Sequence, residues 1–472
     1  MRQLRSRAAA VVGGVVAIVA MITAAVLVLG QTANGGSPPP SAAASPSPTP
    51  SPTWSPAAPV LLPATPRAAP PSREGLERRL DRLLAAPALG GQAGATVVDV
   101  ASGQVLWDRG GGRPMPPASN VKVATAAAAL AAVGPQARFS TRVVRGAVDE
   151  IVLVGGGDPT LSAAGRRAAD DPYPDRARVP ALARETAAAL RETGVAAVRV
   201  TVDDTRFAGP STSPAWESRY VSGGDALPVS ALTLDADAKR PGKGQTGADQ
   251  AVVVGRAFAA ALARQGITVR GGVTHQRAPA GATELASADS PPLATIVEGM
   301  LGTSDNDVAE ILARHVAVAE HAPSTFAGAA AAVTAVLRGL GVDPAGMRVL
   351  DGSGLARGNR IPPRTLARIV AIAASPAQAE LRAVVSGLPV AGFTGTLSDR
   401  FDGSATSRAA GTVRAKTGTL TGVSSLTGVA YDADGRVLAF SFIAARVPGG
   451  GTGSAEAALD RLAATLAACG CR

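Results

Sequence analysis

The chain has 472 residues, 46% of them hydrophobic and 3% aromatic, with a formal net charge of +10. That length allows two to three domains with a large core. The arginines are scattered and aromatics are scarce, so the charge does not form the basic, aromatic-studded stripe of a nucleic-acid binder, and no nucleic-acid partner is expected.

In chain order, Arg2, Arg5 and Arg7 precede a stretch without charge from Ala8 to Pro66. Val11 to Leu29 is apolar apart from Thr23 and small residues, which is about enough to cross the ~30 Å hydrocarbon core as a helix. The leading arginines predict a cytoplasmic N-terminus and an exported body. Gln31-Thr32-Ala33 is a poor cleavage site, so residues 1–30 read as an uncleaved membrane anchor ahead of a cleaved signal peptide. Ser37 to Pro71 holds thirteen of the 36 prolines. Residues 31–72 therefore read as a disordered, semi-rigid tether without a core.

The body begins with an amphipathic helix, Arg73 to Leu84, and two strands joined at Ser102-Gly103. An alanine-rich helix follows from Ser119. A buried strand at Glu150, a helix over Ala181 to Thr193, another strand and a helix over Ala251 to Gln265 suggest a smaller α/β module. Helices return over Asp305 to His321, Ala327 to Gly339 and Pro363 to Ala374. Asp434-Gly435 marks a hairpin, and a last helix spans about Ser454 to Ala468. Strands at both ends of the body suit one sheet, with the middle inserted into it. Cys469 and Cys471 can oxidise in an exported protein, but their spacing makes no framework and is not expected to reach the core. The three histidines and two cysteines make no metal site, and no metal or cofactor is expected.

Lysine is the informative residue. Only four of the 46 basic residues are lysine: Lys122, Lys239, Lys243 and Lys416. Lys122 stands one helical turn beyond Ser119, on the same face. A serine hydroxyl needs a base to become a nucleophile, and a lysine can lose its proton when desolvated, whereas an arginine cannot. Taken alone, Ser-x-x-Lys also fits a serine N-cap and an ordinary helix lysine. Two further pieces lie downstream. Ser304-Asp305-Asn306 precedes a helix, and Lys416-Thr417-Gly418 precedes a strand pattern. Lys416 can attract a carboxylate, Thr417 can bond it, and Gly418 leaves room for a ligand's backbone. The three pieces in this order are the motif set of class A β-lactamases and penicillin-binding proteins.

On these motifs the chain resembles the class C low-molecular-mass penicillin-binding proteins, the D-alanyl-D-alanine carboxypeptidase/endopeptidase family. Ser119 and Ser304 are 185 residues apart, which suits this family's inserted module and not the compact class A β-lactamases. "VGGGDPTL", "VDDTRFAGP", "DGSGLARGNRIPP" and "GFTGTLSDRF" resemble the family too, and the likeness runs from about Arg73 to Ala468.

The resemblance implies a mixed α+β fold: a transpeptidase-like (β-lactamase-like) sheet flanked by helices, built from residues 73–141 and 285–472, with a smaller α/β module inserted over 142–283. It implies a serine DD-peptidase acting on peptidoglycan stem peptides outside the membrane and acylated by β-lactams. Carried over by position, Ser119 attacks the penultimate D-Ala carbonyl and Lys122 takes its proton. Ser304, near Lys416, relays a proton to the leaving amine, and Asn306 bonds the substrate amide and holds Lys122. Lys416, Thr417 and Thr419 receive the terminal carboxylate, with Gly418 between them. The amides of Ser119 and Thr419 form the oxyanion hole, and Arg357 contacts an acidic group of the stem peptide. Two alternatives are a β-lactamase or esterase on the same scaffold and a catalytically silent wall-binding protein.

Overall fold

The structure is a computed structural model that describes residues 68–165, 173, 175–234 and 248–471. The expected anchor over 1–30 and nearly all of the tether lie outside the described residues. Among the described residues no helix is long and apolar enough to cross a membrane.

Two sheets organise the chain. The first has five antiparallel strands, β1 (Gln92–Asp99), β2 (Val105–Arg109), β9 (Val413–Leu420), β10 (Val423–Tyr431) and β11 (Val437–Ala445), in the order β2-β1-β11-β10-β9. The second takes β3 (Ser140–Arg145), β4 (Glu150–Val154), β5 (Ala197–Asp203), β6 (Thr268–Val269), β7 (Thr274–His275) and β8 (Glu284–Asp289). Here β4, β6 and β7 pair with β5 in parallel, while β3 runs antiparallel to β4 and β8. Its first and last strands pair with each other, Ser140 opposite Asp289, so the chain enters and leaves this sheet at one place.

The longer helices are α1 (Arg73–Leu84), α2 (Val121–Val133), α3 (Val179–Glu192), α4 (Gln250–Arg264), α5 (Leu293–Thr303), α6 (Asn306–Ala319), α7 (Phe326–Gly339), α8 (Pro363–Ala374) and α9 (Thr452–Ala467). Period-two alternation distributes the first sheet's side chains between two cores. On β11, Phe440, Phe442 and Ala444 pack with α1 and α9, whereas Ala439 and Ile443 pack with α2 and α5 to α8. Both faces are covered, so β10 is buried from Val423 to Ala430. Helix α2 is buried over its first ten residues, which an alanine-rich sequence allows because small side chains let neighbouring helices approach. Lys122 is the one charged residue in this helix.

Two details depart from the sequence expectations. Lys416, Thr417 and Gly418 do not precede a strand; they lie inside β9, at the edge of the first sheet. Cys469 and Cys471 are joined in a disulfide, and both are buried in the core shared by α1 and α9. The tail reaches that core because it turns beneath α1, where the Ser72 amide donates to the Cys471 carbonyl at 2.7 Å.

Asp99 clips two hairpins together. It is fully buried at the end of β1 and takes two hydrogen bonds from Arg436, at 2.6 and 2.7 Å, beside the Asp434-Gly435 turn. Burial works to raise the Asp99 carboxyl, but Arg436 and Ser102 outweigh it and hold the pKa below the usual aspartate value. The pair therefore stabilises the fold above the unfolded aspartate pKa and stops doing so as pH falls through the lower folded value. Asp99→Ala leaves the largely buried Arg436 without its carboxylate partner and is expected to cost about 3–5 kcal/mol. Urea unfolding at neutral pH checks this.

Candidate active site

Ser119 lies in a 3₁₀ turn, Ala118–Asn120, that leads into α2. Ala118 has φ 49°, in the left-handed region that costs an L-residue about 1–2 kcal/mol. This kink sets Ser119 at the mouth of the helix. Its neighbour Gly354 has φ +94°, and a Cβ there would collide with the Ala118 carbonyl and approach the Ser119 amide nitrogen to 3.1 Å. Glycine is needed on both counts.

Lys122 is fully buried, and its Nζ lies 3.1 Å from Ser119 Oγ. Two other oxygens accept from the same nitrogen at 2.7 Å, Asn306 Oδ1 and the Ser353 carbonyl. Asn306 opens α6, and its Nδ2 donates to the Asp225 carbonyl at 2.7 Å, which turns Oδ1 toward Lys122. Burial draws the Lys122 pKa down to about 8, against the opposing pull of Asp305, Glu310, Asp351 and Asp307. At pH 7 roughly a tenth of such amines are neutral. A neutral amine has two N–H bonds and one lone pair. Asn306 and Ser353 take the two hydrogens, and the lone pair is left for the Ser119 hydroxyl.

The second pair of motif residues meets beside the first. Ser304 ends α5 in the left-handed conformation, φ 62°, and Asp305 caps α6 by accepting from Val308 N. Lys416 Nζ, also fully buried, donates to Ser304 Oγ at 2.8 Å and to the Thr417 carbonyl at 2.8 Å. Gly418 faces the Ser119 turn, where a Cβ would crowd the Ser425 hydroxyl and come within 3.1 Å of the Ser119 amide nitrogen. Ser425 Oγ in turn donates to the Pro117 carbonyl at 2.8 Å, tying β10 to the same turn. Strand alternation places Thr417 and Thr419 together on the opposite side of β9 from Lys416. Their hydroxyls donate to Thr396 Oγ1 at 2.8 Å and Glu456 Oε1 at 3.0 Å. Arg357 donates to the Thr421 carbonyl at 2.8 Å and lies 3.8 Å from Glu217.

Sequence reasoning passed over the turn that holds Lys122. Asp351 accepts from the amides of Gly354 and Ala356, from Asn359 Nδ2 and from Trp216 Nε1. The buried Glu310 accepts from the amides of Gly352 at 3.0 Å and Ser353 at 2.8 Å, while Thr125 Oγ1 donates to the Gly352 carbonyl at 2.7 Å. The carbonyl of Ser353 is thereby aimed at Lys122. The "DGSGLAR" stretch was the signal for this turn. Its role rests on backbone atoms, which residue types do not display.

The model of the D-Ala-D-Ala carboxypeptidase 3 (S13) family matches residues 76–242 and 236–466. This chain belongs to the S13 family. A carboxypeptidase of Mycobacterium tuberculosis is 41% identical over 417 residues, 87% of each chain. The carboxypeptidase DacB of Mycolicibacterium smegmatis is 38% identical over 459 residues, 96% of this chain and 95% of the relative. The crystal structure of penicillin binding protein 4 of Haemophilus influenzae superposes with a TM-score of 0.66 at 22% identity, covering 82% of this chain and 97% of that one. The S13 chain thus has the mixed α/β penicillin-binding fold.

Burial first, and then Asp351, raise the Glu310 pKa to about 7. Glu310→Gln swaps one acceptor for an amide group facing an N–H, so the Ser353 carbonyl loses its aim. A misplacement on the order of 1 Å costs roughly 100-fold in rate. We expect kcat/KM to fall by about that factor with the melting temperature little changed; an unaltered kcat/KM would remove Glu310 from the machinery.

Proposed function

We infer that this S13 enzyme is a serine D-Ala-D-Ala carboxypeptidase of peptidoglycan stem peptides, working through an acyl-enzyme on Ser119. The observation that carries the reading is the buried Lys122 amine with its three oxygens, one of them Ser119 Oγ. Ser119 Oγ attacks the carbonyl of the penultimate D-Ala while Lys122 takes its proton. The negative charge that develops on the carbonyl oxygen is met by the amides of Ser119 and Thr419, a contribution of about 3–4 kcal/mol per donor in other acyl-transfer enzymes. The proton that Lys122 took passes through Ser304, bonded to Lys416, to the amine of the leaving D-Ala as the C–N bond breaks, and Lys122 is neutral again. Water then attacks the ester, Lys122 takes the water's proton and returns it to Ser119 Oγ as the ester C–O bond breaks, and the shortened stem peptide leaves as a carboxylic acid.

On the Ser119 side of β9, Lys416 receives the terminal carboxylate and Asn306 bonds the peptide amide, while the hydroxyls of Thr417 and Thr419 stand on the other side, bonded to Thr396 and Glu456. Arg357, at the rim, meets an acidic group of the stem peptide in exchange for Glu217. β-Lactams, with a strained amide and a carboxylate, enter the same way and acylate Ser119. Residues 1–30 act as the membrane anchor and 31–72 as the tether that holds the body, including the module inserted near 142–283, out in the wall.

Acylation needs the neutral amine, so its rate constant rises with pH between about 6 and 9 with a midpoint near the Lys122 pKa of about 8. Lys122→Arg stays charged at every pH and is expected to lower acylation about 1000-fold or more; stopped-flow acylation across this pH range checks both points.

Mass spectrometry of the protein after penicillin treatment is the direct test. The expected result is a long-lived adduct on the peptide containing Ser119, with no adduct and no D-Ala release in Ser119→Ala. An adduct that disappears within seconds would make the enzyme a β-lactamase instead. D-Ala release by Ser119→Ala at the full rate would end the proposal.

A further inference from the structure

The second sheet ends in a crevice that the peptidase chemistry does not use. Strands β4, β5 and β7 run parallel, and the residues after their carboxyl ends converge: Gly155 after β4, Arg206 after β5 and Arg277 after β7. Arg138, just before β3, and Arg142, within it, close the same space, a cavity of about 510 Å³. Open α/β sheets bind ligands in the crevice outside the carboxyl ends of parallel strands. This volume falls in the range of small-ligand sites.

The lining is strongly one-signed. It carries four arginines against one carboxylate, Asp203. That carboxylate is already engaged: Oδ1 accepts from the Thr205 amide and hydroxyl, and Oδ2 from the Ala278 amide. Arg142 has a carboxylate only at 3.8 Å, on Glu284, and Arg138 donates to the Ser290 carbonyl. Arg206 and Arg277 have no carboxylate within ion-pair distance among the described residues. Loss of water first, and then the charge of Arg142, pull the Arg206 guanidinium below its usual pKa. Arg400 and Arg436, by contrast, are each matched with a carboxylate, Asp460 and Asp99. Here the fold gathers four and leaves them short of anions.

We propose that this crevice is a binding site for a phosphoryl group, distinct from the Ser119 centre. Guanidinium forks match phosphoryl oxygens in pairs, and a multiply charged anion answers several at once. The group comes either from a phosphodiester-linked wall polymer, which the site would hold beside the peptidase, or from free phosphate. The proposal does not rest on the peptidase reading.

Calorimetric titration of the full chain tests it, with inorganic phosphate, pyrophosphate and a short glycerol-phosphate oligomer as probes. Saturable binding at one site per chain is expected, weakened about tenfold or more in the double variant Arg142→Gln/Arg206→Gln. D-Ala release from a soluble peptide should be unchanged in that variant, which also shows that it is folded. Arg277→Gln reads the same site independently if the double variant does not fold. Tighter binding of the oligomer than of phosphate assigns the site to a polymer, and the reverse assigns it to free phosphate. No saturable binding of any probe to the wild type, or undiminished binding in the folded variants, overturns the proposal.

Discussion

The site depends on how three oxygens divide one nitrogen. Lys122 Nζ has the Asn306 side chain and the Ser353 carbonyl as acceptors and the Ser119 hydroxyl as its third neighbour. Two acceptors suit the two hydrogens of a neutral amine, so the protein prepares the deprotonated form by geometry as well as by burial. Arginine cannot replace it, because it carries donors only and keeps its charge. In a chain that otherwise uses arginine almost throughout, lysine at this point has a chemical reason.

The two acceptors are held by separate parts of the molecule. Asn306 is oriented through Asp225, and its neighbour Asp307 accepts the Leu227 amide at 2.7 Å. The Ser353 turn is held by Glu310 from α6 and by Asp351, which Trp216 bonds at 2.8 Å. Asp225, Leu227 and Trp216 all belong to the segment after β5. Trp216 and Tyr220 also share a small core with Phe326, Leu355 and Ala356. The segment after β5 therefore buttresses the Ser353 turn and the start of α6, which together hold Lys122.

Much of the fold could be read from pattern. Alternating apolar residues mark β1, β10 and β11, the alanine run marks α2, and Asp434-Gly435 marks the β10–β11 hairpin. The exceptions have physical causes. Lys416 to Gly418 were expected just before a strand; they lie inside it, because β9 is an edge whose lysine bonds Ser304 and whose glycine makes room for the Ser119 turn. Cys469 and Cys471 looked peripheral because they end the chain, yet the tail folds beneath α1 and buries them.

By itself the sequence determined the chemistry available: a serine and a lysine one turn apart, a second serine with an asparagine, and a lysine with flanking threonines. Residue types and short spacings carry that information because a helix turn is a local geometry. Tertiary structure alone decided the environment of the base. Its acceptors lie 184 and 231 residues from Lys122, and one of them is a backbone carbonyl that any residue supplies. Backbone atoms aimed by buried carboxylates leave no mark in composition or period; they exist only once distant segments have packed together.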